Sequence, residues 1–210
     1  YNTITVLPGN MDTRRGGFGN ASSGAETYLN PTVIEGIEEI EVSGSIRTET
    51  GMINSENLQG QAFLRVTGLS PTILSDFDDY FNGFPVEQGE LFSFEGDADE
   101  VVIGSGVAKD LGVAAGEPIE IEGREFIVSG VLEPDEQSDG GFNFYGDLDS
   151  GLFLPSGAMD RLYGGDGRAS LVLVKLYEDA DVSEVAEEIE DRFSEADIAS
   201  TTITTEEISN

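Results

Sequence analysis

The residues best placed by type and spacing to do chemistry lie at Gly104-Ser105-Gly106, after Val101-Val102-Ile103 and before Val107-Ala108-Lys109. Strand, Gly-x-Gly and helix in that order is how a fold aims backbone N–H groups at a phosphate. A dinucleotide fingerprint needs a third glycine at 109, where Lys stands, and the strand should open a βαβ unit. Here the sequence that follows reads as a β-hairpin instead, and the Gly-Lys-Ser/Thr of a Walker loop is missing. The segment therefore reads as a tight strand-to-helix turn. Ser105 lacks the Gly-x-Ser-x-Gly elbow, and with no His in the chain no ordinary triad can serve it. Ser-Lys chemistry with Lys109 is formally open, but nothing in the spacing favours it. Asp76, Asp78 and Asp79, or Asp135, Glu136 and Asp139, have the chemistry to hold Ca²⁺ or Mg²⁺, yet no segment matches an EF-hand loop. Among 42 acidic residues such groups arise by chance, so they read as solvated loops. No catalytic, cofactor-binding or metal-ligating residue is assigned, and no cofactor is expected.

The formal net charge is −32, from 42 acidic and 10 basic residues in a chain of 210. Only two of the basic residues are Lys, Lys109 and Lys175. The acids are dispersed along the chain, unlike an acidic tail. Such a surface repels itself, and concentrated salt screens it, the Debye length falling to about 3 Å at 1 M. This points to a halophilic, plausibly haloarchaeal, source. Nucleic acid is excluded as a partner: the largest basic cluster is the pair Arg14-Arg15. An anionic membrane surface is disfavoured for the same reason. Hydrophobic residues make up 38%, enough for a core. No run of about 18 apolar residues is present, and no signal peptide is visible. The strand-like start at Tyr1 reads as a cut inside a longer protein. The absence of Cys excludes disulfides and thiolate chemistry. Asn20-Ala21-Ser22 is a sequon, a mild pointer to an extracellular location.

Hydrophobic periodicity places the elements. Ile4 and Val6 alternate with Thr in a strand closed by Pro8-Gly9, and residues 9 to 26 read as a mobile loop. Asn30-Pro31 starts a short helix with Val33, Ile34 and Ile37 on one face. Strands follow at about 40–50 and 62–67. The aromatic stretch containing Phe77, Tyr80, Phe81, Phe84, Phe92 and Phe94 is either the core of a small subdomain or a binding surface. Beyond it come the strand 101–103, a helix 107–111, and a hairpin turning at Glu122-Gly123. Residues 135–150 read as a loop, Leu152–Leu154 as a strand ended by Pro155, and Met159 and Leu162 as part of a helix. Leu171–Leu176 is an apolar strand, Asp181 caps a helix with Glu184 in capping-box spacing, and a last strand runs from Ile198. The expected class is α+β. Residues 1–67 and 156–210 would form one α/β subdomain, with 68–155 inserted as a β-rich subdomain and hinges near Gly68 and Pro155.

Four segments carry a family resemblance. VEQGELF (86–92) resembles a "G-R-x-F" pattern, with Glu90 where Arg is usual. VIGSGVAKDLG (102–112) resembles "V-I-G-x-x-x-A-x-x-L-G". GEPIEIEGREFIVSGVL (116–132) resembles "G-D-x-I-x-I-x-G-x-x-F-x-V-x-G-V-L", and LFLP (152–155) resembles "I-F-V-P". In this order they are similar to the large extracytoplasmic domain of MacB/FtsX-type ABC transporter permeases, and the likeness covers nearly the whole chain. It implies a porter-like α/β subdomain plus a mainly β insert, lying between the first two membrane helices of the permease. It further implies an ABC ATPase partner acting through the rest of the permease, a possible extracellular substrate or accessory protein, and a dimer of the full-length protein in the membrane. The expected role is non-enzymatic binding and relay of motion at the extracellular face. The competing expectations are a free-standing ligand-binding or adhesion domain, and a carboxylate- or Ca²⁺-dependent hydrolase.

Overall fold

The computed structural model describes residues 2–9, 28–78, 83–95, 99–134, 148–165 and 167–204. Residues 10–26 of the expected loop, the sequon, Arg14-Arg15, Asp79, Tyr80, Phe81, and Asp135, Glu136 and Asp139 lie outside them. The chain forms two compact units, Tyr1–Ser45 with Gly167–Asn210, and Ile46–Asp166.

In the first unit β1 (Asn2–Pro8) is the central strand, antiparallel to both β9 (Leu171–Leu176) and β10 (Ser200–Thr204). Ile4 to Leu7 of β1, Thr5 included, and Leu171 to Val174 of β9 are buried without a break, so both faces of these strands are covered. β9 and β10 thus run parallel on either side of β1, joined by α4 (Val182–Glu195) in a split β-α-β arrangement. Asp181 caps α4 by accepting from the Glu184 backbone N–H at 3.1 Å. Val185, Ala186, Ile189 and Phe193 then recur at helical spacing and are buried with Ile4, Val6, Val172 and Val174. Pro31–Ile34 makes one 3-10 turn capped by Asn30, where the sequence suggests a short α-helix. Gly36, at φ 89°, redirects the chain immediately afterwards.

The second unit is built on a closed ladder. β2 (Ile40–Asn54), which begins in the first unit, pairs antiparallel with β3 (Ala62–Leu69) from Ile46 onward. β3 runs parallel to β8 (Gly151–Pro155), and β8 pairs antiparallel with β5 (Glu100–Ile103). β5 lies parallel to β7 (Arg124–Leu132), and β7 forms a hairpin with β6 (Pro118–Ile121). β6 returns to β2 through Ile53 and Asn54, which closes the ring. Such closure leaves six strands without a free edge, and β4 (Val86–Gly89) is attached outside it on β7. Ile53, Val66, Val101, Ile103, Ile121, Phe126 and Leu152 form one core with Val107 and Leu111 of α2 (Ser105–Leu111) and Met159 of α3 (Ser156–Tyr163). A six-residue helix, α1 (Pro71–Asp76), follows β3 with proline in its first turn.

The two residues read as hinges from the sequence lie in regular strand pairing. Gly68 and Pro155 sit inside the β3–β8 ladder, where Gly68 pairs with Leu154 and Leu69 with Pro155. A bend at either residue would break that ladder. Residues 46–67 and 156–166, read from the sequence as part of the outer subdomain, belong to the second unit.

Candidate functional site

The glycine turn that opened the sequence reading can be judged from its surroundings. Gly104 precedes α2 with φ −68° and ψ 158°. A Cβ there would clash with the Leu148 carbonyl oxygen and stand 2.5 Å from the carbonyl carbon and oxygen of Asp149. At Gly106 a Cβ would lie 2.9 Å from the same Asp149 oxygen. The space a phosphate would need is filled by backbone carbonyls, whose partial negative charge would repel it. The glycines allow the 148–150 turn to pack on the start of α2, as the tight-turn reading expects. Ser105 is buried, at 8% exposure, while Lys109 points to solvent four residues later. Nothing aligns them as nucleophile and base.

The acidic residues are likewise dispersed. Asp76 and Asp78 are exposed, and among the described residues no three acidic side chains converge on a point that could hold a metal ion. The aromatic stretch divides differently. Phe77, Phe84 and Phe92 are buried, and Phe84 meets Phe153 edge-on with ring centroids 5.2 Å apart. These rings therefore serve packing; Phe94 lies edge-on to Phe92 at 5.3 Å and is half-buried.

Among the described residues each unit has an open groove. In the second unit a groove of about 270 Å³ is lined by Asn54, Ser55, Glu56, Ile119, Glu120 and Glu125. Strand pairing sets Asn54 beside Glu120, and Glu120 directly opposite Glu125. Two like charges in facing positions destabilise a sheet slightly, so the groove presents a concentrated negative field. In the first unit a groove of about 480 Å³ is lined by Asn2, Glu41, Lys175, Leu176, Tyr177 and Glu178. Tyr177 is 48% exposed there, an amphipathic ring available for contact. Either groove has polar groups for recognition, and neither brings together a nucleophile, a base and an oxyanion donor. Glu120 and Glu125 face each other across the hairpin that the sequence predicts, while pairing with the distant β2 adds Asn54, which no motif marked.

Arg47, only 5% exposed, is bonded on several sides. Its Nη1 donates to the Gly164 carbonyl at 2.6 Å and reaches the Gly165 carbonyl and Asp160 Oδ1 at 3.5 Å. Its Nε donates to Glu49 at 3.1 Å, and the guanidinium lies 5.9 Å from the centre of the Tyr163 ring. Burial, then the negative charges of Glu122 and Glu49, push the Tyr163 phenol well above its ordinary value of 10, and Arg47 pulls weakly the other way. A second cluster joins Asp99 to Arg124 Nε at 2.7 Å and to Arg161 Nη2 at 3.2 Å. Both are internal braces.

The family model described as "MacB-like periplasmic core domain" matches residues 1–192. The chain belongs to that family. It is thus an extracytoplasmic domain of the MacB/FtsX transporter type. This MacB-type chain shares its α+β fold with the periplasmic region of MacB from Actinobacillus actinomycetemcomitans, at a TM-score of 0.71 and 17% identity, covering 99% of this chain and 91% of that one. The extracellular domain of the noncanonic ABC-type transporter YknZ from Gram-positive bacteria is similar at a TM-score of 0.68 and 14% identity, over 96% and 100% of the two chains. A permease protein domain from Porphyromonas gingivalis is similar at 0.54 and 14%, over 96% and 88%. No curated protein matches in sequence. The resembling segments fall on β4, on β5 with α2, on the β6–β7 hairpin and on β8. Their glycines have structural work. Gly112 ends α2 at φ 64°, and a Cβ on Gly89 would strike the Ser129 carbonyl of β7.

Proposed function

We propose that this MacB-type domain acts at the extracellular face of an ABC transporter permease. There it engages a substrate or accessory protein and relays motion driven by a cytoplasmic ABC ATPase, without catalysing a reaction itself. The family match over residues 1–192 carries this reading. Its mechanism would be mechanical: two units with separate cores, one of them closed into a ring, suit rigid-body motion better than local rearrangement. The exposed groove residues would supply the contacts and the full-length permease would be a membrane dimer. The charge of −32 suits an external medium rich in salt, as for a halophile.

The test is made in the full-length permease, reconstituted with its ATPase. Spin labels on the exposed Glu125 and Glu187 positions, each replaced by Cys, report distances before and after trapping ATP. The relay predicts an ATP-dependent change in the distance distribution. Identical distributions in the two states would reject it.

A further inference from the structure

The chain passes between the two units twice, at Ser45–Ile46 and at Asp166–Gly167. The two crossings differ in kind. The first lies within β2, a continuous strand of 15 residues. The second is flanked by Gly164, Gly165 and Gly167, all with positive φ, at 69°, 74° and 70°. Gly164 closes α3 with ψ −174°, a combination that residues with a Cβ almost never adopt. No heavy atom would meet a Cβ at Gly164 or Gly167, so these glycines answer to backbone conformation and not to packing. Left alone, a link flanked by such glycines has no side-chain restraint from them.

It is not left alone. Arg47, one residue past the strand crossing, places its guanidinium on the carbonyls of Gly164 and Gly165. We infer that Arg47 is a clasp that ties the glycine crossing to the strand crossing, so that both links leave the second unit from one fixed point. The residue is suited to this. A guanidinium presents several donors in one plane, and here they reach two carbonyls, Glu49 and Asp160 together. Tyr163 and α3 supply the wall behind it. Such a pin would limit how far one unit moves against the other, and weakening it would widen that motion. The purpose of the clasp rests on the relay reading above; its existence does not.

Because the chain has no Cys, introduced pairs are the sole label sites. In the 210-residue chain, labels at Glu125→Cys and Glu187→Cys span the two units, and labels at Lys109→Cys and Glu125→Cys report the second unit alone. Arg47→Lys keeps the charge and loses the planar fork. The spanning distribution should broaden about twofold or more, while the internal one keeps its width. An unchanged spanning distribution overturns the clasp. Equal broadening of both also overturns it, since Arg47 would then support the second unit as a whole. Should Arg47→Lys fail to fold, Arg47→Met with Glu49→Gln removes the ion pair while reducing the unpaired buried charge, and the same two distributions decide. ATP trapping in the permease tests the relay separately, so either idea can fail without the other.

Discussion

Replacing Gly104 by Ala tests whether the glycine turn is closed by the chain or open for a ligand. Its backbone, at φ −68° and ψ 158°, is accessible to any residue, so the folded state carries no torsional penalty. Restricting the unfolded chain would then stabilise the variant by about 0.4–1 kcal/mol. Against this, the new methyl meets the Leu148 carbonyl oxygen and stands 2.5 Å from the Asp149 carbonyl. Overpacking typically costs about 1–3 kcal/mol, and backbone is harder to displace than a side-chain end, which favours the upper part of that range. The net expectation is a loss of about 2 kcal/mol, or roughly 4–8 °C in Tm for a chain of this size. Gly106→Ala is the control. It sits in α2, where Ala gains about 1 kcal/mol over Gly, and its 2.9 Å approach to the Asp149 oxygen offsets much of that. Chemical denaturation at fixed molar salt, followed by circular dichroism, should show a lower midpoint with an unchanged slope for Gly104→Ala alone. A Gly104→Ala midpoint equal to that of the parent would refute the argument, because the turn would then have room that the 148–150 backbone does not fill.

Two further outcomes follow from charge. Lowering ionic strength from about 1 M to 0.1 M lengthens the Debye distance from about 3 to 10 Å, so the thermal midpoint should fall, and a neutral osmolyte should not fully restore it; a midpoint independent of salt would contradict the reading of the −32 charge. Tyr163 has a phenol pKa raised in the folded state, so its contribution to stability is fully present below the unfolded value of 10 and is lost as pH rises through the higher folded value. Phenolate absorbance should contain an ionisation step above the ordinary value that Tyr163→Phe removes; a titration curve that Tyr163→Phe leaves without such a loss would sink it.

Local structure was legible wherever the signal was local. Asp181 followed by Glu184 predicted the cap of α4, and the Asp181 carboxylate accepts from the Glu184 N–H. Glu122-Gly123 predicted the hairpin turn, and both residues have positive φ, at 52° and 79°, as a two-residue turn of that hand requires. α1 was overlooked although Ser70-Pro71 is a readable start, because six helical residues are too few for a period to emerge beside the aromatic stretch. The unit boundaries were out of reach for another reason. They depend on the β3–β8 and β5–β7 parallel pairings, and parallel partners are joined through long crossovers that no local spacing specifies. The same holds for Arg47, whose nearest acceptor lies 117 residues away in sequence.

The residues that reveal the family are therefore not the ones that would choose a substrate. Gly89, Gly104 and Gly130 each leave room for another stretch of backbone, and Gly112 and Gly116 turn the chain at positive φ. They describe how the β-rich unit closes. Recognition would instead fall to side chains such as Glu120, Glu125 and Tyr177, which line the grooves. A substitution at a motif glycine should then lower stability for every ligand alike. A substitution in a groove should leave the fold intact and alter one interaction.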